Sequence, residues 1–290
     1  MTGSYRTISL MLGFVLVWTV TEAIVGTLLN QYPPFQVVWL HYLILLCMWV
    51  AIAGFRSRGD LIRTQKPVTQ ILRAVFLLLM PVSWAFASNA GYGHAVHAAF
   101  WGTPILVILF SAILLGERAN HMTWLVATMG SVAAMAIYAQ GDIIPFGFAW
   151  LAILGMPVSF SLFLVLSRAL RGEKTSTNLF YVTAGIVIIL APFMPGMWVE
   201  LELRHSLHFA VTGVLGLLAL LLLDRAAFLA PIAPSAPLLL APVPLAFLAG
   251  WLIDNEGYNS NRIVLLAIIC IACATPLIFT LNAHLKRINP

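Results

Sequence analysis

Ten long apolar stretches follow one another along the chain, with short polar connections between them. They fall near residues 7–29, 35–55, 69–89, 92–115, 122–139, 147–169, 178–195, 207–229, 232–253 and 262–283. Most are close to the roughly 20 residues that a helix needs to cross the hydrocarbon core of a bilayer. The pattern predicts an all-α membrane protein with ten transmembrane helices.

The basic residues of the connections are distributed very unevenly between the two sides of the predicted bundle. If the N-terminus lies inside, only Arg204 and Arg262 of the 15 lysines and arginines fall on the outer side. The other thirteen fall on the inner side or beside it: Arg6, Arg56, Arg58, Arg63, Lys66, Arg73, Arg118, Arg168, Arg171, Lys174, Arg225, Lys286 and Arg287. Because positive loops stay in the cytoplasm, both termini are predicted to be cytoplasmic.

The composition excludes an ordinary soluble domain. Hydrophobic residues make up 61% of the chain, charged residues 9%, and the mean hydropathy is +0.98. A soluble domain carries about 25% charged residues. The net charge of +5 requires no nucleic-acid partner, because the basic residues sit beside helix ends, where they meet anionic headgroups. The compact loops favour a multi-pass protein of a bacterial inner (plasma) membrane, with the lipid bilayer as its surroundings.

The span count divides the chain into two halves. Residues 1–141 contain five predicted spans and residues 142–290 contain five more. An odd number of spans in each half forces the second half into the membrane the other way up, which is the arrangement of an inverted repeat. The fourth and ninth stretches also resemble each other, since each has a mid-span proline and each ends in acidic residues (Glu117; Asp254 and Glu256). The predicted fold is therefore two five-helix inverted repeats.

The fourth stretch also carries a family resemblance. Pro104 is followed by Leu114-Leu115-Gly116-Glu117-Arg118, and this pattern resembles the EamA-type signature of the drug/metabolite transporter superfamily. Chain length and span count are similar to that family over the whole sequence. The resemblance implies a central cavity, lined mainly by the third, fourth, eighth and ninth spans. The chain departs from the family pattern at His41, where an arginine is common, and at the closing motif of the ninth span.

Polar side chains inside the spans are the main local indication of a site, because they are costly in hydrocarbon and usually face a cavity. Glu22 lies about seven residues from the outer end of the first span, which is ~10 Å below the surface. His41 and His97 are predicted at a similar depth in the second and fourth spans. Glu22 with either histidine would form a proton-sensitive pair. The alternative is a structural hydrogen bond between two helices.

Aromatic residues recur on the helix faces that carry these polar groups. His94, His97, Trp101 and Pro104 step by three or four along one face of the fourth span. Trp84 shares a face with small residues in the third span, and Trp18 shares one with Glu22 in the first. Such a cavity would hold an aromatic, aliphatic or quaternary-ammonium group. The alternative is ordinary bundle packing.

Prolines are concentrated around the start of the ninth span. Pro231, Pro234, Pro237, Pro242 and Pro244 each remove a backbone donor. Freed carbonyls at membrane depth must face protein or a water-filled cavity. We therefore predict a broken ninth helix beside the transport path, with Pro242 at the site and Pro244 near it.

Four other residues are assigned gating or structural roles. They are Pro104, Glu117, Asp224 and Arg225. For Asp224 and Arg225, an inner gate or a contact to a substrate carboxylate is one interpretation. An interfacial pair in which Arg225 reaches the headgroups is the other, and we favour it. No buried cluster of arginines that would hold phosphates is expected.

These features predict a secondary transporter rather than an enzyme. Its substrate would be a small amphipathic metabolite such as an amino acid or an amine, moved outward by alternating access, with a proton as a possible coupling ion. Within transport, a choline-like cation or a lipid-like molecule is the alternative substrate. An intramembrane lipid-modifying enzyme is the alternative function. No nucleotide-binding, metalloprotease or hydrolase motif is present in the sequence, so no cofactor or metal is expected.

Overall fold

The computed structural model describes residues 2–57, 61–139, 147–253 and 259–288. This part of the chain is built from α-helices and short 3₁₀ segments. The α-helices are α1 Thr2–Leu29, α2 Pro34–Ser57, α3 Pro67–Asn89, α4 Gly93–Phe100, α5 Thr103–Leu115, α6 His121–Tyr138, α7 Ala149–Ala169, α8 Thr175–Leu190, α9 Met194–Met197, α10 Leu203–Leu229, α11 Pro242–Ile253 and α12 Ser260–Ile288. The 3₁₀ segments are Ala191–Phe193 and Ala233–Leu240. Asp254, Asn255, Glu256 and Asn289 lie outside the described residues.

The predicted spans correspond to the observed helices. In the described part of the chain, nine helical segments are long and apolar enough to cross a membrane, and the pair α4–α5 makes a tenth if it is one span. The prediction of an all-helical, multi-pass membrane protein is confirmed. We call the end of the bundle at which α1 begins the proximal end, and the opposite end the distal end.

The fourth span is broken in its middle. The axes of α4 and α5 differ by 51°, and the break lies at Trp101 and Gly102, just before Pro104 in the first turn of α5. Proline is tolerated there because the first helical N–H groups have no partner in the helix. Side-chain hydroxyls of α5 and α7 donate to two carbonyls beside the break. Thr103 Oγ1 donates to Phe100 O (2.6 Å), and Ser161 Oγ donates to Thr103 O (3.3 Å).

The ninth span is irregular as well. Its proximal half is the 3₁₀ segment Ala233–Leu240, which contains Pro234 and Pro237, and α11 begins at Pro242. The predicted interruption of this helix is confirmed. Pro242 and Pro244 themselves stand in the first turn of α11, where proline fits a helix, so the irregular part precedes them. The two broken spans meet at their proximal halves, where α5 packs on the 3₁₀ segment.

Most of the helix packing joins residues before the 140–146 connection to residues after it. The main contacts are α1 with α10, α3 with α7, α2 with α8, and α6 with α12. Small residues permit close approach at these interfaces. A Cβ added at Gly185 of α8 would lie 2.7 Å from Cβ of Ala74 on α3, and one added at Gly216 of α10 would lie 2.5 Å from the His41 ring of α2.

Candidate functional site

Trp18 and Glu22 form a polar pair inside the first span. They stand one turn apart on α1, and the indole Nε1–H of Trp18 donates to Glu22 Oε1 at 3.0 Å. Trp18 is half-buried, whereas Glu22 is accessible. No ion pair or hydrogen bond joins Glu22 to His41 or His97 among the described residues, so the structure leaves Glu22 with Trp18 as its hydrogen-bond partner.

Aromatic rings from three helices surround the Trp18 indole. Phe14 of α1 stacks on it at 6.1 Å between ring centroids, and Phe160 of α7 stacks at 5.1 Å. Phe100 of α4 is tilted against it at 5.8 Å. Because these contacts fix the plane of the indole, its N–H is held in the direction of Glu22. The arrangement therefore presents one carboxylate at a fixed position beside apolar rings.

The predicted residues of the fourth span belong to an adjoining part of this aromatic cluster. Trp101 is buried and stacks on Tyr138 of α6 at 5.7 Å, and it also contacts Phe100 edge-on at 5.4 Å. His97 is exposed and lies 5.6 Å from the Tyr138 ring. His94, one turn nearer the distal end of the bundle, is exposed. His97 and Trp101 are thus brought together through Tyr138, and they reach Trp18 through Phe100.

His41 lies at the interface between α2 and α10. Its ring packs against Gly216 and contacts the neighbouring Tyr42 edge-on at 4.9 Å. Its Nδ1 is buried and has no hydrogen-bond partner in the described part of the chain.

The remaining residues assigned to the site are at its margins. Trp84 of α3 is half-buried and packs on the core, and among the described residues it makes no ring contact with Trp18 or Trp101. Pro242 and Pro244 are half-buried at the start of α11.

A buried polar network lies nearer the proximal end. Arg73 of α3 is fully buried. Its Nε donates to Ser167 Oγ of α7 (2.9 Å), and its Nη1 donates to the backbone carbonyl of Asn178 in α8 (3.1 Å). Gln70 Nε2 donates to Asn178 Oδ1 at 2.7 Å. The charge count along the sequence placed Arg73 among the basic residues of the inner surface. That placement is wrong for its side chain, because hydrogen-bond partners on α7 and α8 hold the guanidinium inside the bundle.

Asp224 belongs to the same network. Asn178 Nδ2 donates to Asp224 Oδ1 (2.9 Å), and Thr175 Oγ1 donates to Asp224 Oδ2 (2.7 Å). The predicted interfacial pair is wrong for Asp224, which is buried and faces α8. Adjacent residues of a helix point about 100° apart, and Arg225 is exposed, which agrees with the predicted contact to the headgroups.

Glu117 joins the two parts of the chain at the proximal end. It follows the left-handed Gly116 that ends α5, and Glu117 Oε1 accepts from Arg168 Nε of α7 at 2.8 Å. Arg168 Nη1 also donates to the carbonyls of Ala227 (2.6 Å) and Phe228 (3.2 Å) at the end of α10. The buried pair therefore ties α5, α7 and α10 together, which is a structural role of the kind expected for Glu117. Arg168, too, is buried rather than interfacial.

Sequence reasoning missed the residues that connect the site. Phe100, Phe160 and Tyr138 look like ordinary apolar positions, and only the tertiary packing brings their rings to Trp18 and Trp101. One signal was available for the buried network. Gln70, Arg73 and Asn178 are polar residues inside apolar spans, and such residues usually face the protein interior.

Comparison with known proteins agrees with the fold. No family model matches the chain. It is 20% identical over 262 residues to an S-adenosylmethionine uptake transporter of Rickettsia bellii (strain RML369-C), covering 88% of this chain and 89% of that protein. A protein of known crystal structure superposes with a TM-score of 0.79 at 19% identity, over 93% of this chain and 97% of that one. With the apolar helices, these similarities support a membrane transporter.

Proposed function

We propose that this protein is a secondary transporter of a small organic cation or zwitterion, with its substrate site at Trp18 and Glu22. The observation that carries the proposal is the Trp18–Glu22 pair, a carboxylate fixed by an indole N–H at 3.0 Å inside an apolar span. Glu22 is accessible, and its second oxygen accepts no hydrogen bond from the described residues. An acidic group at this depth is costly unless it faces a cavity or a partner.

The aromatic surroundings suit a cation. Sulfonium and quaternary ammonium groups bind to aromatic faces and edges beside an anion, because they are poorly hydrated and keep their charge at every pH. The transporter from Rickettsia bellii is named for S-adenosylmethionine, which carries a sulfonium. A polyanion does not suit the site, because the accessible charge there is negative. His97, His41, Trp84 and Trp101 would line the cavity around this pair.

The packing supports the proposed inverted repeat of residues 1–141 and 142–290. In such a repeat the first span (α1) corresponds to the sixth (α7), the second (α2) to the seventh (α8), and the third (α3) to the eighth (α10). The contact of α1 with α10 then has the contact of α7 with α3 as its symmetry equivalent. By the same correspondence, the contact of α2 with α10 is equivalent to the contact of α8 with α3. All four of these contacts are present. This symmetry, the ten spans and the Pro104–Arg118 motif are the basis for assigning the chain to the EamA-like transporters, with both termini cytoplasmic.

Alternating access would then open and close the two ends in turn. At the proximal end, Glu117 and Arg168 bridge the two repeats, and Lys66 Nζ donates to Ala169 O at 2.9 Å. At the distal end, Tyr32, in the connection between α1 and α2, contacts His205 of α10 (2.9 Å between Oη and Nδ1). These bridges are the gates of the proposal, and they must break when the corresponding end opens.

Uptake into proteoliposomes tests the proposal. The purified full chain is assayed with labelled S-adenosylmethionine, S-methylmethionine, choline and methionine, and mass spectrometry of the accumulated compound shows whether it is chemically unchanged. We expect at least one cation to be transported and Glu22→Gln to reduce its uptake about tenfold or more. Glu200→Gln, at an exposed acidic residue between α9 and α10, should retain wild-type uptake.

Three results would contradict the proposal. One is a chemically altered product, which would indicate the enzyme alternative. Another is wild-type uptake by Glu22→Gln. The last is the absence of transport for every cation tested. Supplying the substrate either inside or outside the vesicles also gives the direction of transport. The family resemblance suggests export, and the relative's name suggests uptake.

A further inference from the structure

Two buried polar atoms near the proximal end lack partners, and they are complementary to each other. Nη2 of Arg73 is a donor and Oε1 of Gln70 is an acceptor, and neither has a hydrogen-bond partner among the residues that the structure describes. Both residues are fully buried, three positions apart on α3, so they face the same side of the helix.

The other polar groups of these two side chains are engaged. Arg73 uses Nε and Nη1 for Ser167 and Asn178, and Gln70 uses Nε2 for Asn178. Buried polar groups are normally matched, and each unmatched one destabilises the fold. The network thus holds both side chains in place while leaving one donor and one acceptor free, which is how a binding site differs from a structural cluster.

The pair is connected to the proposed site. Aromatic rings join the two places, because the Arg73 guanidinium lies 5.2 Å from the centroid of Phe163, which stacks at 6.1 Å on Phe160, the ring that contacts Trp18. Arg73 and Glu22 therefore lie at the two ends of one aromatic row.

The charges along this row favour a particular ligand. When ionised, Glu22 places a negative charge at one end of the row, and Arg73 places a positive charge at the other. A ligand with a cationic group at one end and an anionic group at the other is complementary to them. An α-amino acid with a cationic side chain has this arrangement, and its headgroup offers a carboxylate and an ammonium side by side.

Resting on the proposed function, we infer that Arg73 and Gln70 form a second subsite that takes the α-amino-acid headgroup of the substrate. Nη2 of Arg73 donates to the carboxylate, and Oε1 of Gln70 accepts from the ammonium. The cationic side chain points along the aromatic row towards Glu22. The subsite is closed in this structure and is reached when the interface of α3 with α8 opens.

A matched pair of probes tests this subsite without assuming the natural substrate. S-methylmethionine and its decarboxylated amine share the sulfonium and the amino group and differ only in the carboxylate. We expect the wild-type chain in proteoliposomes to show a half-saturation concentration at least about tenfold lower for S-methylmethionine, as one charge-assisted hydrogen bond predicts. Arg73→Lys, which keeps the charge but loses the planar fork, should reduce this ratio to near one.

Arg168→Lys is the matched control, because it alters the other buried arginine, whose partners are Glu117 and two carbonyls. It should leave the ratio unchanged even if the rate falls. If Arg73→Lys does not fold, Gln70→Met is measured instead. We expect Gln70→Met to raise the half-saturation concentration for S-methylmethionine several-fold and not that for choline, which lacks an ammonium hydrogen.

The possible failures are distinguishable. Equal half-saturation concentrations for the two probes in the wild type would overturn the subsite and leave the proposed cation transport standing. An equal loss of discrimination in Arg168→Lys would show that the network is only structural. Transport of neither probe nor choline would overturn the proposed function and the subsite with it.

Discussion

The contact between α3 and α8 at Gly185 gives the sharpest stability prediction. Ala74 Cβ, on a rigid backbone, lies 2.7 Å from the position that a Gly185 Cβ would occupy. Carbon atoms normally keep about 3.5–4.0 Å apart. Gly185→Ala must therefore separate the two helices by about 1 Å. Gln70 and Asn178 stand on the same interface, so their 2.7 Å hydrogen bond would stretch beyond bonding distance.

The cost of this change can be estimated. Overpacking a well-filled interface costs about 1–3 kcal/mol, and a lost interhelical hydrogen bond in a membrane protein costs about 0.6 kcal/mol. We expect a total of about 2–4 kcal/mol, which corresponds to a melting temperature roughly 3–7 °C lower, because the entropy of unfolding is about 2.1 cal/mol/K per residue. Arg73 lies at the same interface, where it donates to the Asn178 carbonyl, so transport should fall as well.

Thermal unfolding of the purified chain in one detergent, at one scan rate, measures the effect. Gly26→Ala is the control, because Gly26 is also helical but a Cβ there meets nothing within 4 Å. Both substitutions gain the same helix propensity, about 1 kcal/mol, so their difference isolates the clash. A Gly185→Ala melting temperature within about 1 °C of the Gly26→Ala value would refute the packing argument.

The remaining predictions concern the site, the ninth span and the orientation. Transport should vary with external pH, and Glu22→Gln should flatten that profile because it removes the titrating group; an unchanged profile would exclude proton exchange at Glu22. Trp18→Phe keeps the ring stacking but removes the N–H donor, so we expect uptake about tenfold slower with little change in melting temperature. Wild-type uptake would show that transport does not depend on the hydrogen bond from Trp18 to Glu22. Replacing Pro242 and Pro244 together by alanine should let α11 extend and slow transport, while size-exclusion profiles stay monodisperse; unchanged rates would separate these prolines from the path. A cysteine at Asn259, between α11 and α12, should react with an impermeant maleimide added to intact cells after the native cysteines are replaced; labelling only after lysis would reverse the proposed orientation.

The sequence alone was sufficient for the fold class and for the segments of the chain that form it. A helix must satisfy its own backbone in hydrocarbon, so each apolar stretch of sufficient length has only one structure available. The breaks in the fourth and ninth spans were also predictable, because proline removes a donor wherever it stands. Pro104 indicated the first break closely. The 3₁₀ segment Ala233–Leu240 was harder to place, since five nearby prolines did not show which turn would be lost.

Partners between helices were decided by the tertiary structure. Position along a span predicts the depth of a residue in the membrane but not the rotation of its helix relative to the others. Glu22, His41 and His97 were therefore grouped at one depth. Packing instead turned Glu22 to Trp18, His97 to Tyr138 and His41 to Gly216. Arg73 shows the same limit most clearly. As a basic residue near a helix end it counted as a headgroup contact, and only the meeting of α3 with α7 and α8 supplied the buried oxygens that hold its charge inside the bundle.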